Sequence, residues 1–291
     1  MKSNKRNAII MAAGTASRFV PLSAERPKGL LEVKGEILIE RQIRQLQEAG
    51  ISDITVVVGY KAEMFDYLKA KFGVNIVLNE DYYRYNNTSS VIRVLGKLAD
   101  TYICSSDNYF PENVFLGEPV QSYYSALYAT GQTGEYCLTI DADDNITDVA
   151  VGGHDAWYMI GHVYFSEDFS RMFREILARE YEKDETRQGY WEDVYIRFIN
   201  QLPKMKIHRY KEHDIEEFDS IDELRLFDES YINNTRSSVI KQIAKELNCE
   251  EGALHGFAKM NGSGMCFSFL MGTEMFLFDN NKIVQVSQAH L

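Results

Sequence analysis

Hydrophobic and polar positions alternate in blocks along the first hundred residues. Residues 8–13, Ala-Ile-Ile-Met-Ala-Ala, form an unbroken apolar run that stops at Gly14. Such a run predicts a strand buried on both faces. Ile39, Ile43, Leu46 and Ala49 then follow a helical period, and Gly50 is placed to end that helix. Residues 54–58 are mostly β-branched and predict a second parallel strand, with Gly59 just past its end. Met64, Phe65, Leu68 and Phe72 mark a further helix, and Val74, Ile76 and Leu78 a third strand. Val91, Leu95 and Leu98 form the next helical stripe, before a strand at 101–105. Repeated strand–helix units imply an α/β fold: a Rossmann-like, mixed but mostly parallel sheet flanked by helices.

Beyond Asp107 the pattern changes. Residues 123–130, 136–140, 146–151 and 157–165 read as strands joined by polar turns, an antiparallel or mixed stretch. Helices are predicted at 169–181 and 190–201, and a returning strand at 206–210. Ser220 and Glu223 have capping-box spacing, which starts a helix directly after Asp219. From about 231 the chain reads as a small C-terminal α+β appendage. It has a helix near 239–247 and strands near 265–270, 275–278 and 283–286. The expected division is therefore a main domain, 1–230, and an appendage, 231–291.

Composition narrows the functions. In 291 residues, 31 Lys and Arg face 43 Asp and Glu, a net charge of −12, so nucleic acid is not the expected partner. A local group of cations can still hold a small anion. The four cysteines (Cys104, Cys137, Cys249, Cys266) are far apart, as in a protein of a reducing compartment. Lys2, Lys5 and Arg6 precede a short apolar run, but Gly14 and Arg18 come directly after it, so the start is not read as a leader. No apolar run is long enough to cross a membrane. A cytoplasmic protein is the expectation.

The chemistry concentrates at 11–30, MAAGTASRFVPLSAERPKGL. A buried strand opens into a loop of small residues, Ala12, Ala13 and Gly14 and on to Ser17, where backbone N–H groups can approach a phosphate chain. Arg18 and Lys28 supply charge for a triphosphate. Neither GxGxxG nor the GK[ST] of a P-loop is present. The segment resembles the signature of the nucleoside-triphosphate transferase superfamily: strand, Ala-Ala-Gly, small residues, Arg, Pro-Leu, Pro-Lys. It departs at Ala16, often glycine there, and at Gly29, often serine.

Within that superfamily the chain most resembles the bacterial CTP:phosphocholine cytidylyltransferases, over residues 7 to 230. That resemblance implies several roles. Tyr85-Asn86-Asn87-Thr88-Ser89-Ser90 would lie near the nucleotide, through Asn87 and Ser89; a helix N-cap is the plain alternative. Asp107 would be the first metal-binding aspartate, and Glu217-Phe218-Asp219 the later acidic segment, with Asp219 preferred to Glu217. Mg²⁺ would offset the repulsion between two phosphate-bearing substrates. Tyr190, Trp191 and Glu192, with Tyr136, would hold the quaternary ammonium of choline through aromatic faces and a carboxylate. With 18 Tyr and 16 Phe in the chain, ordinary core positions remain open for these aromatics. His154 and His162 lack an orienting acid and read as structural.

The implied reaction is Mg²⁺-dependent transfer of CMP from CTP to phosphocholine, giving CDP-choline and pyrophosphate. Arg18 would hold the β,γ-phosphates and Lys28 would stabilise charge at the α-phosphate. A sugar-1-phosphate nucleotidyltransferase and a non-catalytic nucleotide-sensing subunit remain alternatives. In the tail, Asn261-Gly262-Ser263-Gly264 and Phe267-Ser268-Phe269 resemble the opening strands of choline-kinase-like proteins. With no kinase catalytic segment after them, they read as a structural remnant or a homodimerising element.

Overall fold

The computed structural model describes residues 6–260 and 265–286; the segment Asn261-Gly262-Ser263-Gly264 lies outside the described residues. The chain packs into two compact units, residues 1–14 with 39–217, and residues 15–38 with 218–291.

The first unit is built on a seven-stranded sheet. Its strands are β1 (Asn7–Ala12), β2 (Asp53–Val58), β3 (Asn75–Leu78), β4 (Thr101–Ser105), β5 (Tyr123–Ile140), β6 (Ile146–Phe165) and β7 (Lys206–Arg209). Their order is β7-β5-β6-β4-β1-β2-β3. β1 runs parallel to both β2 and β4, β2 to β3, and β7 to β5. β6 is antiparallel to β4 and β5. The apolar run 8–13 is thus the central strand expected of it, with Ile9 and Ile10 buried. β3 sits at the edge, which explains why its apolar positions alternate.

The helices of this unit include α1 (Leu38–Glu48), α2 (Thr88–Arg93), α3 (Glu167–Glu180) and α4 (Trp191–Arg197). Phe169 and Phe173 of α3 close over Phe165 at the end of β6, with ring centroids 4.4 and 5.3 Å away. Ser166 starts α3 by accepting from the Phe169 N–H. One core joins Ile9, Val57, Ile103 and Val163 of the sheet to Phe169, Phe173 and Trp191 of the helices.

The four strands expected between 123 and 165 are two long, irregular ones. Register shifts divide the β5–β6 pairing at several points, including Ala129/Gln132 and Thr133/Tyr136. Gly131, Gly152 and Asp155 have positive φ beside them, and the Asp155 carboxylate accepts from the Gly131 N–H at 2.8 Å. Bulges of this kind break the alternation that a sequence reading relies on.

In the second unit, four strands form an antiparallel meander: β8 (Leu254–Lys259), β9 (Cys266–Met271), β10 (Glu274–Asp279) and β11 (Lys282–Val286). Opposed residues on one face stack in pairs, Phe267 on Phe278 and Phe269 on Phe276. Two helices, α5 (Ile221–Phe227) and α6 (Ser238–Glu246), precede the meander. Compactness does not divide the chain at 230/231, because segment 15–38 is tied to the stretch beyond residue 217. The Tyr231 hydroxyl donates to the Glu32 carbonyl at 2.6 Å, the Lys34 N–H to Asp228 at 2.7 Å, and the Ser238 N–H to Glu25 at 2.7 Å. No described helix is long and apolar enough to cross a membrane.

Candidate active site

In the first unit, β1 ends at the carboxyl edge of its parallel neighbours, where open α/β sheets bind ligands. The Met11 carbonyl accepts from the Ser106 N–H at 3.1 Å and the Ala13 carbonyl from the Tyr60 N–H at 3.2 Å. These bonds fix the entry to the small-residue loop; Ala12 and Ala13 are buried, whereas Gly14 is exposed.

Asp107 lies in the turn after β4, two residues past its last residue Ser105, as its sequence position suggests. Its neighbour Asn108 pairs antiparallel with Glu217 and donates to that carboxylate at 3.2 Å. Asp107 and Glu217 are therefore brought to the same place. Among the described residues, no group of three or more acidic, His or Cys side chains is assembled for a metal.

The segment around Asn87 has a different neighbour from the one expected. The Asn86 N–H donates to the Arg187 carbonyl at 3.2 Å, and the Thr88 hydroxyl to the Gly189 carbonyl at 2.7 Å. Asn87 accepts the Trp191 N–H at 2.9 Å and donates to Glu192 at 3.2 Å. It makes no side-chain cap on α2. Both ends of its amide are thus committed to the first turn of α4. Ser89 is fully buried, accepting from Asn79 at 2.8 Å and donating to the Asn86 carbonyl at 2.7 Å. It holds the loop rather than facing a ligand.

That first turn separates its three expected residues. Trp191 is only 3% exposed: it stacks on Tyr124 at 5.9 Å and meets the edges of Phe165 and Phe173. Its indole is core, so it is not a wall of an acceptor cage. Tyr190 is 44% exposed and meets Tyr136 of β5 edge to face, with ring centroids 6.3 Å apart. The Glu192 carboxylate accepts from the Tyr124 hydroxyl and from Asn87, each at 3.2 Å. Burial nevertheless pushes its pKa up to about 7, against these lowering hydrogen bonds. Although the residue retains some surface, its carboxyl is desolvated, and an arriving cation would restore the charge.

Asp193, absent from the sequence expectations, accepts from the Tyr136 hydroxyl at 3.0 Å and from the Tyr190 N–H at 2.7 Å. A legible signal existed, since an acid three residues after a helix start has capping spacing. Tyr124 carried no such signal.

His162 lies among Tyr102, Phe110, Phe115 and Tyr123, and burial lowers its pKa to about 3. It is a neutral structural ring. His154 instead pairs with neighbouring Asp155 at the surface.

The second unit holds a group of three charges. Ser220 caps α5 by accepting from the Glu223 N–H, while Glu223 accepts from the Asp219 N–H at 2.7 Å. This capping box fixes Asp219. Its carboxylate meets Arg18 at 2.9 Å and Lys28 at 3.6 Å. Lys28 is 7% exposed and Arg18 is 78% exposed. One carboxylate thus meets a nearly buried ammonium and a long, solvent-facing guanidinium. Ala16 takes φ +45°, the left-handed region that favours the glycine often found there, so the departure from pattern carries local backbone strain.

This fold and these charge positions define a nucleotidyltransferase. A MobA-like NTP transferase domain matches residues 8–141. A 2-aminoethylphosphonate cytidylyltransferase of Lancefieldella rimae is 35% identical over 81% of this chain and 97% of that protein. A choline-phosphate cytidylyltransferase of Streptococcus pneumoniae is 33% identical over 76% of this chain and 96% of that protein. The solved structure of the CTP:phosphocholine cytidylyltransferase from Streptococcus pneumoniae matches with a TM-score of 0.74, covering 78% of this chain and 99% of that one at 33% identity. The chain belongs to the cytidylyltransferase family of MobA-like NTP transferases.

Proposed function

We propose that the chain transfers CMP from CTP to phosphocholine. The observation that carries this reading is the exposed Tyr190 ring set edge to face against Tyr136, beside the desolvated Glu192 carboxylate. Aromatic faces and a carboxylate without strong cationic partners suit an alkylammonium group. Hexose hydroxyls would instead call for polar readers. The phosphate of the acceptor is its own nucleophile and needs no protein base, consistent with a neutral, buried His162.

Arg18 and Lys28 would exchange Asp219 for phosphate oxygens of CTP, with Lys28 stabilising charge that develops at the α-phosphate. Mg²⁺, when bound, would neutralise phosphate charge and align the attack. Asp107 and Glu217 are suited to hold it. Asp219 would become available to a metal only once phosphate had taken over its two cations. Backbone N–H groups at Ala12, Ala13 and Gly14 would receive the nucleotide.

A second reading has specific support. A relative that is named for 2-aminoethylphosphonate is as similar as those named for choline phosphate. With Trp191 in the core, fewer aromatic faces together with the Glu192 carboxylate also suit a primary ammonium.

The test is pyrophosphate release with Mg²⁺ and CTP, in parallel with phosphocholine, phosphoethanolamine, 2-aminoethylphosphonate and glucose-1-phosphate. Preference for phosphocholine supports the first reading, and preference for the phosphonate supports the second. Turnover with the sugar phosphate alone would remove the ammonium site. No release with any acceptor or nucleotide would favour a nucleotide-sensing role.

A further inference from the structure

The geometry points to Asp193 as a positioning residue that fixes how Tyr136 meets the turn carrying Tyr190, and through the aromatic wall so formed the choice among alkylammonium acceptors. This rests on the ammonium-binding reading above. Tyr136 comes from β5 and Tyr190 from the loop before α4, so nothing in local chain geometry fixes their separation. Asp193 supplies the link. One carboxylate oxygen takes the Tyr136 hydroxyl at 3.0 Å, and the other takes the Tyr190 N–H at 2.7 Å. Beside this tie the two rings meet edge to face, 6.3 Å between centroids, with an interplanar angle of 78°.

The chain makes room for this tie. A Cβ on Gly189 would lie 2.9 Å from Asp193 Oδ2 and 3.2 Å from the Glu185 carbonyl, so a side chain there would displace the carboxylate or the preceding turn. Asp193 also differs from its neighbour in its task. Glu192 is held by Asn87 and Tyr124, which belong to other elements, and keeps its carboxyl for a cation. Asp193 has both oxygens engaged by the tyrosine pair. One acid therefore carries charge toward the ligand, and the next spends its oxygens on fixing the aromatic wall. A trimethylammonium group is held by aromatic faces, whereas a primary ammonium also needs acceptor oxygens for its N–H groups, so this use of Asp193 governs discrimination between them.

Asp193→Asn, Tyr136→Phe and the double variant test this in the full-length enzyme. Asn leaves one acceptor oxygen and turns an amide donor toward the other N–H or O–H. The expected result is a rise in acceptor KM on the order of 10-fold in each single variant, the scale of one charge-assisted hydrogen bond. The KM for CTP should stay within about 2-fold. The ratio of kcat/KM for phosphocholine over 2-aminoethylphosphonate should shift in the same direction in both variants. The double variant should show less than the product of the single effects, because both changes act on the Asp193–Tyr136 bond.

A merely structural role would lower kcat with every substrate and leave that ratio unmoved, which would overturn the inference. Unchanged acceptor KM, or effects that multiply in the double variant, would do so as well. If Asp193→Asn fails to melt cooperatively, Tyr136→Phe decides alone, since it removes only a hydroxyl. Wild-type enzyme inactive with every alkylammonium acceptor would overturn the proposed function and this inference together. Normal wild-type turnover with unaltered variants would overturn the inference only.

Discussion

Glu192→Gln separates the electrostatic part of the acceptor site from its shape. Burial raises the carboxyl from its ordinary 4.5 to about 7, over the opposing bonds from Asn87 and Tyr124. Between these values the folded protein holds a proton that the unfolded chain has released, so stability falls as pH rises through that window. Below about pH 4.5 both states are protonated and the cost is absent. Above about pH 7 it is complete, at roughly 3 kcal/mol as a ceiling, because the residue keeps some solvent contact. Gln removes the titration while keeping shape: its oxygen can accept from Asn87 and its amide can donate to Tyr124. The variant should thus melt close to wild type at pH 4.5–5 and several degrees higher at pH 8, by up to about 10 °C. Calorimetry without substrates checks this. Acceptor binding should show the opposite preference. Wild-type affinity for phosphocholine should rise with pH through 7 as the carboxylate forms, whereas the variant should bind more weakly. Titration of the acceptor phosphate affects both proteins alike, so the difference between their profiles isolates Glu192. A melting gap that stays the same from pH 5 to pH 8 would refute the reasoning.

Each unit also makes outcomes of its own testable. Lys28→Ala should lower turnover by roughly 10²–10³, the scale of losing one well-placed charge-stabilising donor; near-normal pyrophosphate release would remove Lys28 from the mechanism. Chelation with EDTA should abolish activity and added Mg²⁺ restore it, and persistence in EDTA would exclude the divalent cation. Ser89→Ala should cost about 1–3 kcal/mol in denaturant unfolding by leaving the Asn79 amide without that partner. Because Ser89 is buried, the variant's KM for CTP should be unchanged, and a large rise would return Ser89 to the nucleotide site.

The central sheet was legible because β-branched and apolar runs such as 8–13 and 54–58 are buried on both faces, leaving nothing to disguise them. β5 and β6 were legible only in pieces. Their bulges place Gly131, Gly152 and Asp155 at positive φ within strands, so each reads as a turn. β8 went unseen because Gly256 and His255 interrupt a strand with few apolar positions. The capping box at Ser220 was visible because its spacing is local. What that box positions, Asp219 between Arg18 and Lys28, joins residues about two hundred positions apart. Resemblance to a family could supply that link, and periodicity could not. For the same reason the grouping of 15–38 with 218–291 was hidden: discontinuous packing leaves no mark on composition. The segment Tyr190-Trp191-Glu192 was found, but not the division of labour within it. That depends on which side of a short helix faces the core.

The same division of labour lets the acceptor site keep its form without a ligand. Trp191 is anchored by Tyr124, Phe165 and Phe173, while Asn87 holds the backbone N–H of the same residue. The backbone on either side, at Tyr190 and Glu192, is therefore anchored by core packing. A surface loop carrying the same three residues would need the ligand itself to order them, and binding would bear that entropic cost. Here the cost is met when the protein folds, with Phe173 and Trp191 supplying apolar burial. Changes to Trp191 should consequently act on the acceptor site through stability and orientation together. Changes to Tyr190, which is exposed, should act on the ligand alone.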